Sequence, residues 1–408
     1  MKISLQTIRA RFLPAAMLCT LAACQQGGVG LPTLQTELKP LPKPTAPQPV
    51  AVKRPTLSAK VDGQQVGNGP YRIALLVPTS AQGNAGRIGK ELANAARIAV
   101  RDFGAGRIQL VVKDTQGQSA RAALLAGQAR NEGASLVLGP LFSANVSAAS
   151  SVTKPSNIPM IAFSSDQARA ARGVYLMSFA PEADIRRTLN YGLSNGINRV
   201  VALLPQGAYG VLAEREMRRV FDSTGGQIVS AVRYSRDVAS MTKAAGSAAH
   251  AVANANGIYI PDGGQAPAIL LKALHRSGAN LTGKQIMGSG QWATLNLNQA
   301  VLNGAIYAGP DRRNFESFAR RYNATYGKQP TINAANAYDA VSLAAELVRR
   351  NEQAPFTATA IQSSGGFNGV TGIFRFKASG RLQRGLVINR IEHGRTVIVS
   401  PSPTSFGG

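Results

Sequence analysis

The chain has 408 residues, 44% of them hydrophobic and 16% charged. That balance supplies a sizeable core and excludes a chain disordered throughout, and the length allows two or three compact units. The formal charge is +25, but the lysines and arginines are scattered. There is no aromatic interleaving and no zinc-finger or RNP-like pattern, so the charge is read as facing an anionic membrane surface or wall polymer, with no nucleic acid as partner.

In chain order, residues 1–11 carry Lys2, Arg9 and Arg11, and residues 12–23 are uncharged and mostly apolar. This run is shorter than the roughly 20 residues that span a bilayer, so residues 1–23 read as a secretory signal peptide. The end of the run, Leu21-Ala22-Ala23-Cys24, resembles the bacterial lipobox. The resemblance implies cleavage before Cys24 and a diacylglycerol on its thiol, hence an envelope protein anchored by lipid. The only other cysteine, Cys19, leaves with the signal. The mature chain then has no disulfide, no thiol nucleophile and no zinc–cysteine site. Gln25 stands where enteric lipoproteins kept at the inner membrane carry Asp, which favours the periplasmic face of the outer membrane.

Residues 24–70 are expected to be the lipidated N-terminus and a Pro-rich linker. Seven prolines fall between Pro32 and Pro55, densest from Pro40 to Pro49. Such a segment cannot be helix or central strand. Extended in polyproline fashion it reaches on the order of 100 Å.

From Tyr71 short apolar runs alternate with Ala-rich helical periods. Strands are expected at 72–77, 108–112, 136–138 and 158–163. One helix is expected to bury Ile88, Leu92, Ala95, Ala99 and Phe103 on one face, and another covers 119–131. The pattern then restarts, with strands at 199–204, 227–232, 257–260 and 285–287 and helices at 209–221, 241–254 and 266–277. Helices at 314–326 and 336–349 and strands at 373–376, 386–391 and 396–399 complete the chain. Strand–helix alternation means a parallel sheet covered on both faces. The fold class is therefore α/β: two Rossmann-like doubly wound lobes with a central cleft, over residues 71–403. Lobe 1 is assigned to about 71–180 and 306–360, and lobe 2 to about 181–305 and 366–400. Ligands of such sheets sit beyond the carboxyl ends of the strands.

Several short pieces recur in order along this region: Pro78, Asp114-Thr115, Leu138-Gly139-Pro140-Leu141, Pro159-Met160-Ile161-Ala162, Tyr209-Gly210, Tyr338-Asp339-Ala340-Val341 and Gly369-Val370-Thr371-Gly372. On these, residues 71 to about 403 resemble the leucine-binding type of periplasmic binding protein, the type I fold. Gly288-Ser289-Gly290-Gln291-Trp292, the helix bearing Phe315, Phe318, Tyr322 and Tyr326, and Phe367-Asn368-Gly369 are most similar to the penicillin-binding protein activator lipoproteins of alphaproteobacteria. Enteric members of that group carry an additional helical-repeat domain where this chain has the stalk.

Catalytic motifs are absent from the sequence. The stretch from Gly83 to Lys90 fails as a phosphate loop, because Asn84 replaces its first Gly and Glu91 the magnesium-holding Ser or Thr. His250, His275 and His393 have no metal-ligand spacing. The chain is read as non-enzymatic, with no cofactor and no metal. The resemblance implies an amino-acid cleft in which Ser143, Ser164 and Ser165 hold a carboxylate and Tyr209 and Asp262 an ammonium. Asp166 departs from that pattern, since a carboxylate there repels a ligand carboxylate. Each of these residues also fits a plain N-cap or turn role.

Two functions follow. In the first the domain docks on a peptidoglycan synthase, a bifunctional penicillin-binding protein, and stimulates it. In the second the lobes close on a small amino-acid-like solute, of branched-chain type, and deliver it to an ABC permease.

Overall fold

A computed structural model describes residues 60–406 together with Leu57. The signal peptide, Cys24 and the proline-dense part of the stalk lie outside the described residues. The linker expected to run to residue 70 ends earlier, because β1 (Gln64–Val66) pairs antiparallel with β3 (Ile108–Asp114) at the edge of the first sheet. No proline lies between Pro55 and Pro70 to prevent it, and Lys113 Nζ ties the preceding turn down by donating to Glu132 Oε1 (2.9 Å) and to the Asp62 carbonyl.

The first sheet also contains β2 (Tyr71–Val77), β4 (Ala134–Leu138), β5 (Met160–Ala162) and β6 (Val174–Leu176), in the order β1-β3-β2-β4-β5-β6. All but β1 run parallel. Every residue of β2 is buried, and the strand period of two sends its side chains to two different cores. Ile73, Leu75 and Val77 meet α1 (Gly83–Ala99), whereas Ala74 and Leu76 meet α2 (Ser119–Asn131) and α3 (Ser143–Thr153). Each fully buried leucine or isoleucine here contributes about 1.5–3 kcal/mol.

The second lobe opens with α4 (Pro181–Ser194). It continues with β7 (Arg199–Pro205), α5 (Ala208–Thr224), β8 (Gln227–Tyr234), α6 (Val238–Ala249), β9 (Gly257–Tyr259), α7 (Ala266–Arg276), β10 (Gln285–Met287) and β11 (Ile306–Pro310). The chain then returns to the first lobe with α8 (Arg313–Tyr326), α9 (Ala334–Arg350), the short α10 (Ala358–Ile361) and a small antiparallel sheet of β12 (Phe367–Gly369), β13 (Gly372–Phe376) and β14 (Leu382–Arg384). It ends in β15 (Leu386–Glu392) and β16 (Arg395–Ser400), which complete the second sheet in the order β16-β15-β11-β10-β9-β7-β8. The same alternation holds in β7: Val201 and Leu203 face the core of α6 and α7, while Val200, Ala202 and Leu204 face that of α4 and α5. The two-lobed α/β fold is the one the sequence predicts, with different segment boundaries.

Several expectations are corrected. Residues 306–310 were placed in lobe 1, but β11 pairs with β10 and β15 in the second sheet. Residues 366–384 were placed in lobe 2, but Phe367, Phe374 and Phe376 pack into the core shared with α1 and α9. Phe103 was expected on the buried face of the first helix. A π-helical turn, Val100–Gly104, follows α1 and shifts the phase, leaving Phe103 45% exposed. The helices α3, α4 and α10 and the strands β1, β6, β11, β12 and β14 were not foreseen.

Candidate functional site

The chain passes between lobes three times: after β6, after β11 and after β14. A cavity of about 610 Å³ lies where these crossings meet, lined by Ser178–Pro181 from the first, Gly309, Pro310 and Arg312 from the second, and Leu382, Arg384 and Leu386 from the third. The N-terminus of α4, Tyr209, the turn at Gly290–Thr294 and the loop at Pro330–Asn333 close the remaining walls. Pro330, Ile332, Leu382 and Leu386 make much of the surface apolar, and Asp184, Tyr209, Gln291, Arg312 and Arg384 are among the polar side chains that interrupt it, a mixture found in small-molecule sites.

Local structure holds these groups in place. Pro181 starts α4 with the fixed φ a first helical turn needs, and Glu182 and Asp184 sit in that turn. Thr188 Oγ1 donates to the Asp184 carbonyl (3.0 Å) and accepts from Ala308 N–H (2.8 Å), which fixes α4 on β11. Arg187 donates to the Leu386 carbonyl (3.2 Å) and to Ser400 Oγ (2.6 Å), fixing α4 on β15 and β16. On the other side Thr331 donates from N–H (2.5 Å) and Oγ1 (2.6 Å) to Glu91 of α1.

The second-lobe wall is organised around Ser289. Tyr209 Oη donates to Ser289 Oγ (2.9 Å) and lies 3.2 Å from the Pro261 carbonyl, and burial, with Asp184 nearby, raises its pKa. Trp292 is fully buried and its indole donates to the Ile260 carbonyl (3.0 Å). Only glycine fits at Gly288, because a Cβ there would overlap the Trp292 ring. Burial pushes the Asp184 carboxyl up to about 7, with the Gly290 backbone amide opposing the rise and Glu182 adding to it. Asp184 Oδ1 and Ser178 Oγ are buried with no hydrogen-bond partner among the described residues.

Among the predicted site residues only Tyr209 lines this cavity. The lobe 1 group is internally paired. Ser143 Oγ donates to Asp166 Oδ2 (2.5 Å), Ser164 Oγ accepts from the Asp166 N–H (3.2 Å), and Arg169 Nε reaches Asp166 Oδ2 (3.1 Å). The Ser143 hydroxyl, the Ala168 amide and Arg169 hold Asp166 below the usual carboxylate range, so it stays charged. Ser165 is exposed beside them. Asp262 is 1% exposed and already satisfied: Tyr234 Oη (2.9 Å), Arg236 Nε (3.1 Å) and Nη2 (2.6 Å), and the Gly263 N–H (2.9 Å) all donate to it. Its geometry is that of a buried structural carboxylate.

Asp184, Arg312 and Arg384 are the charged cavity residues that sequence reasoning missed. Asp184 had a signal, since Pro181-Glu182-Ala183-Asp184 is a helix start of the Pro-then-acid kind. Arg384 had none, because nothing in Leu382-Gln383-Arg384-Gly385 marks an arginine that will be buried.

Residues 70–396 match the family model described as Periplasmic binding protein, and the chain belongs to that family, a solute-binding one. Solved structures share the fold. A protein from Rhodospirillum rubrum described as a branched-chain amino acid ABC transporter is 18% identical, with a TM-score of 0.69 over 81% of this chain and 99% of its own. A branched chain amino acid ABC transporter periplasmic ligand-binding protein from Burkholderia xenovorans is 19% identical, with a TM-score of 0.63 over 83% and 97%. An ABC transporter substrate-binding protein from Desulfitobacterium hafniense, solved in complex with Leu, is 19% identical, with a TM-score of 0.57 over 81% and 99%. No curated protein sequence matches the chain.

Proposed function

We propose that this protein is a solute receptor of the cell envelope that binds a small amino-acid-like molecule between its lobes and presents it to an ABC permease. The observation that carries the reading is the cavity of about 610 Å³ at the three crossings, lined by both apolar and polar side chains. The family and the transport proteins that share the fold support it. Cys24 serves as a lipid anchor in this proposal, most simply at the periplasmic face of the outer membrane, and the Pro-rich stalk as the tether. Thermal-shift screening against amino acids tests it. A solute at 100-fold excess over its Kd adds about 2.7 kcal/mol, several degrees for a domain of this size. A flat response to every solute counts against a receptor.

The activator reading rests on sequence pieces alone, chiefly Gly288-Ser289-Gly290-Gln291-Trp292. In the fold this stretch supports the cavity wall through Ser289 and Trp292, a role any receptor of this shape needs. Retention of a purified bifunctional penicillin-binding protein on the immobilised chain would restore that reading.

A further inference from the structure

A second cavity, of about 830 Å³, lies at the end of the first lobe away from the cleft. One wall is the amino edge of the first sheet: Tyr71 opens β2, Ala134 opens β4, and Pro159 and Gly173 directly precede β5 and β6. These strands run parallel, so the four residues share one edge. The inter-lobe cavity begins beyond the other edge, at Ser178, five residues and roughly 15 Å further along the chain from Gly173. The facing wall is the segment between α9 and α10, in which Pro355 is buried and the Phe356 ring meets Tyr71 edge-on, with centroids 6.0 Å apart. Small residues at Ala134, Ser135, Gly173 and Ala354 leave the space open, and Ile158, Pro159 and Phe356 give it apolar surface.

The charge of the lining has one sign. Lys154 and Arg172 line the cavity, and no Asp or Glu does so among the described residues. Both residues are exposed, and neither side chain has a hydrogen-bond or ion-pair partner among the described residues. The arginines on the α5 face differ in this respect. There Glu216 takes up Arg186 (2.7 Å), Arg219 (3.3 Å) and Arg215 (3.4 Å), so that patch is largely neutralised within the fold. Two uncompensated cations on the wall of a partly apolar cavity favour an anion beside them, and the apolar surface favours a chain or ring attached to it.

We propose that this cavity is a second ligand site, for an amphipathic anion: a carboxylate or phosphate borne on a short apolar chain or ring. Its charge is met by Lys154 and Arg172 and its apolar part by Ile158, Pro159 and Phe356. The site is separate from the cleft, so its failure leaves the receptor reading standing.

Equilibrium dialysis of the full chain with octanoate, octyl phosphate and octanol tests it. At least one of the two anions should bind tenfold or more tightly than octanol, and which one does so distinguishes a carboxylate from a phosphate. Shortening the chain of that anion by two methylenes should weaken it roughly tenfold. Lys154→Gln combined with Arg172→Gln should weaken the anion roughly tenfold and leave octanol unchanged, and because both positions are exposed the variant keeps its fold. A diazirine analogue of the anion that binds should, on irradiation, label peptides containing Ile158 or Phe356. Octanol binding as tightly as the anions, an unaltered double variant, label confined to residues 178–184 and 290–294 of the cleft, or no binding of either anion at millimolar concentration would each overturn the proposal.

Discussion

Arg384 Nη1 lies 3.7 Å from Asp339 Oδ2, the first residue on β14 and the second on α9, and both side chains are buried. The separation is too long for a hydrogen bond, so the pair is held by charge. The other Asp339 oxygen accepts the Val370 N–H (2.8 Å). Burial pushes Asp339 up to about 6 against the pull of Arg384, and burial lowers Arg384 in turn. Asp339 is the counter-charge that lets a cation persist at the cavity wall. Asp339→Ala should therefore cost about 3–5 kcal/mol by leaving Arg384 uncompensated, read from the urea midpoint at unchanged slope. Gly369→Ala should cost about 1–3 kcal/mol, because its Cβ would overlap the same carboxylate.

Asp184 should make stability depend on pH. Its native pKa is raised from 3.8 to about 7, so between those values the unfolded chain releases a proton that the native state keeps. The unfolded state then binds fewer protons, and stability falls as pH rises through that window. Asp339, raised from 3.8 to about 6, adds a fall of the same sign over a narrower range. Asp184→Asn should remove its own share, on the order of 3–4 kcal/mol. The variant should match wild type near pH 4 and exceed it at pH 8, with Tm measured at both.

Trp292 is the only tryptophan, and its neighbours Gln291, Ala293 and Thr294 line the cavity. Its emission should respond to a bound solute while the protein stays folded. Trp292→Phe loses the hydrogen bond to the Ile260 carbonyl and leaves a void. It should cost about 2–4 kcal/mol in a denaturant titration.

The proposed lipid anchoring should depend on one group, the Cys24 thiol. Cys24→Ala should abolish incorporation of labelled palmitate and move the protein from the membrane pellet to the soluble fraction. Unchanged pelleting would remove the anchor from the account.

The lobes were legible because their signal is local and repeated. Ile73, Leu75 and Val77 alternate with Ala74 and Leu76 in a run that only a strand buried on both faces explains. Helix α3 escaped notice because Ser143–Thr153 is built from Ser, Ala, Asn, Val and Thr with little contrast between its faces. The site was harder to read. Asp262 sits at the position the resemblance implies, but Tyr234 and Arg236 reach it from 28 and 26 residues away and use up its charge. Arg384 becomes a cavity group through Phe179, Thr371 and Asp339, which three separate segments bring together. No spacing in the chain encodes that meeting. The return at residue 306 was misassigned for a related reason: whether β11 joins one sheet or the other is decided by pairing with β15, some eighty residues on.

Isothermal titration of the folded full chain with the solute found by screening measures the central claim directly. The account predicts one site per chain and a negative heat-capacity change on binding, since the apolar walls are covered. A chain that melts cooperatively yet takes up no amino acid or related small carboxylate at millimolar concentration would contradict it.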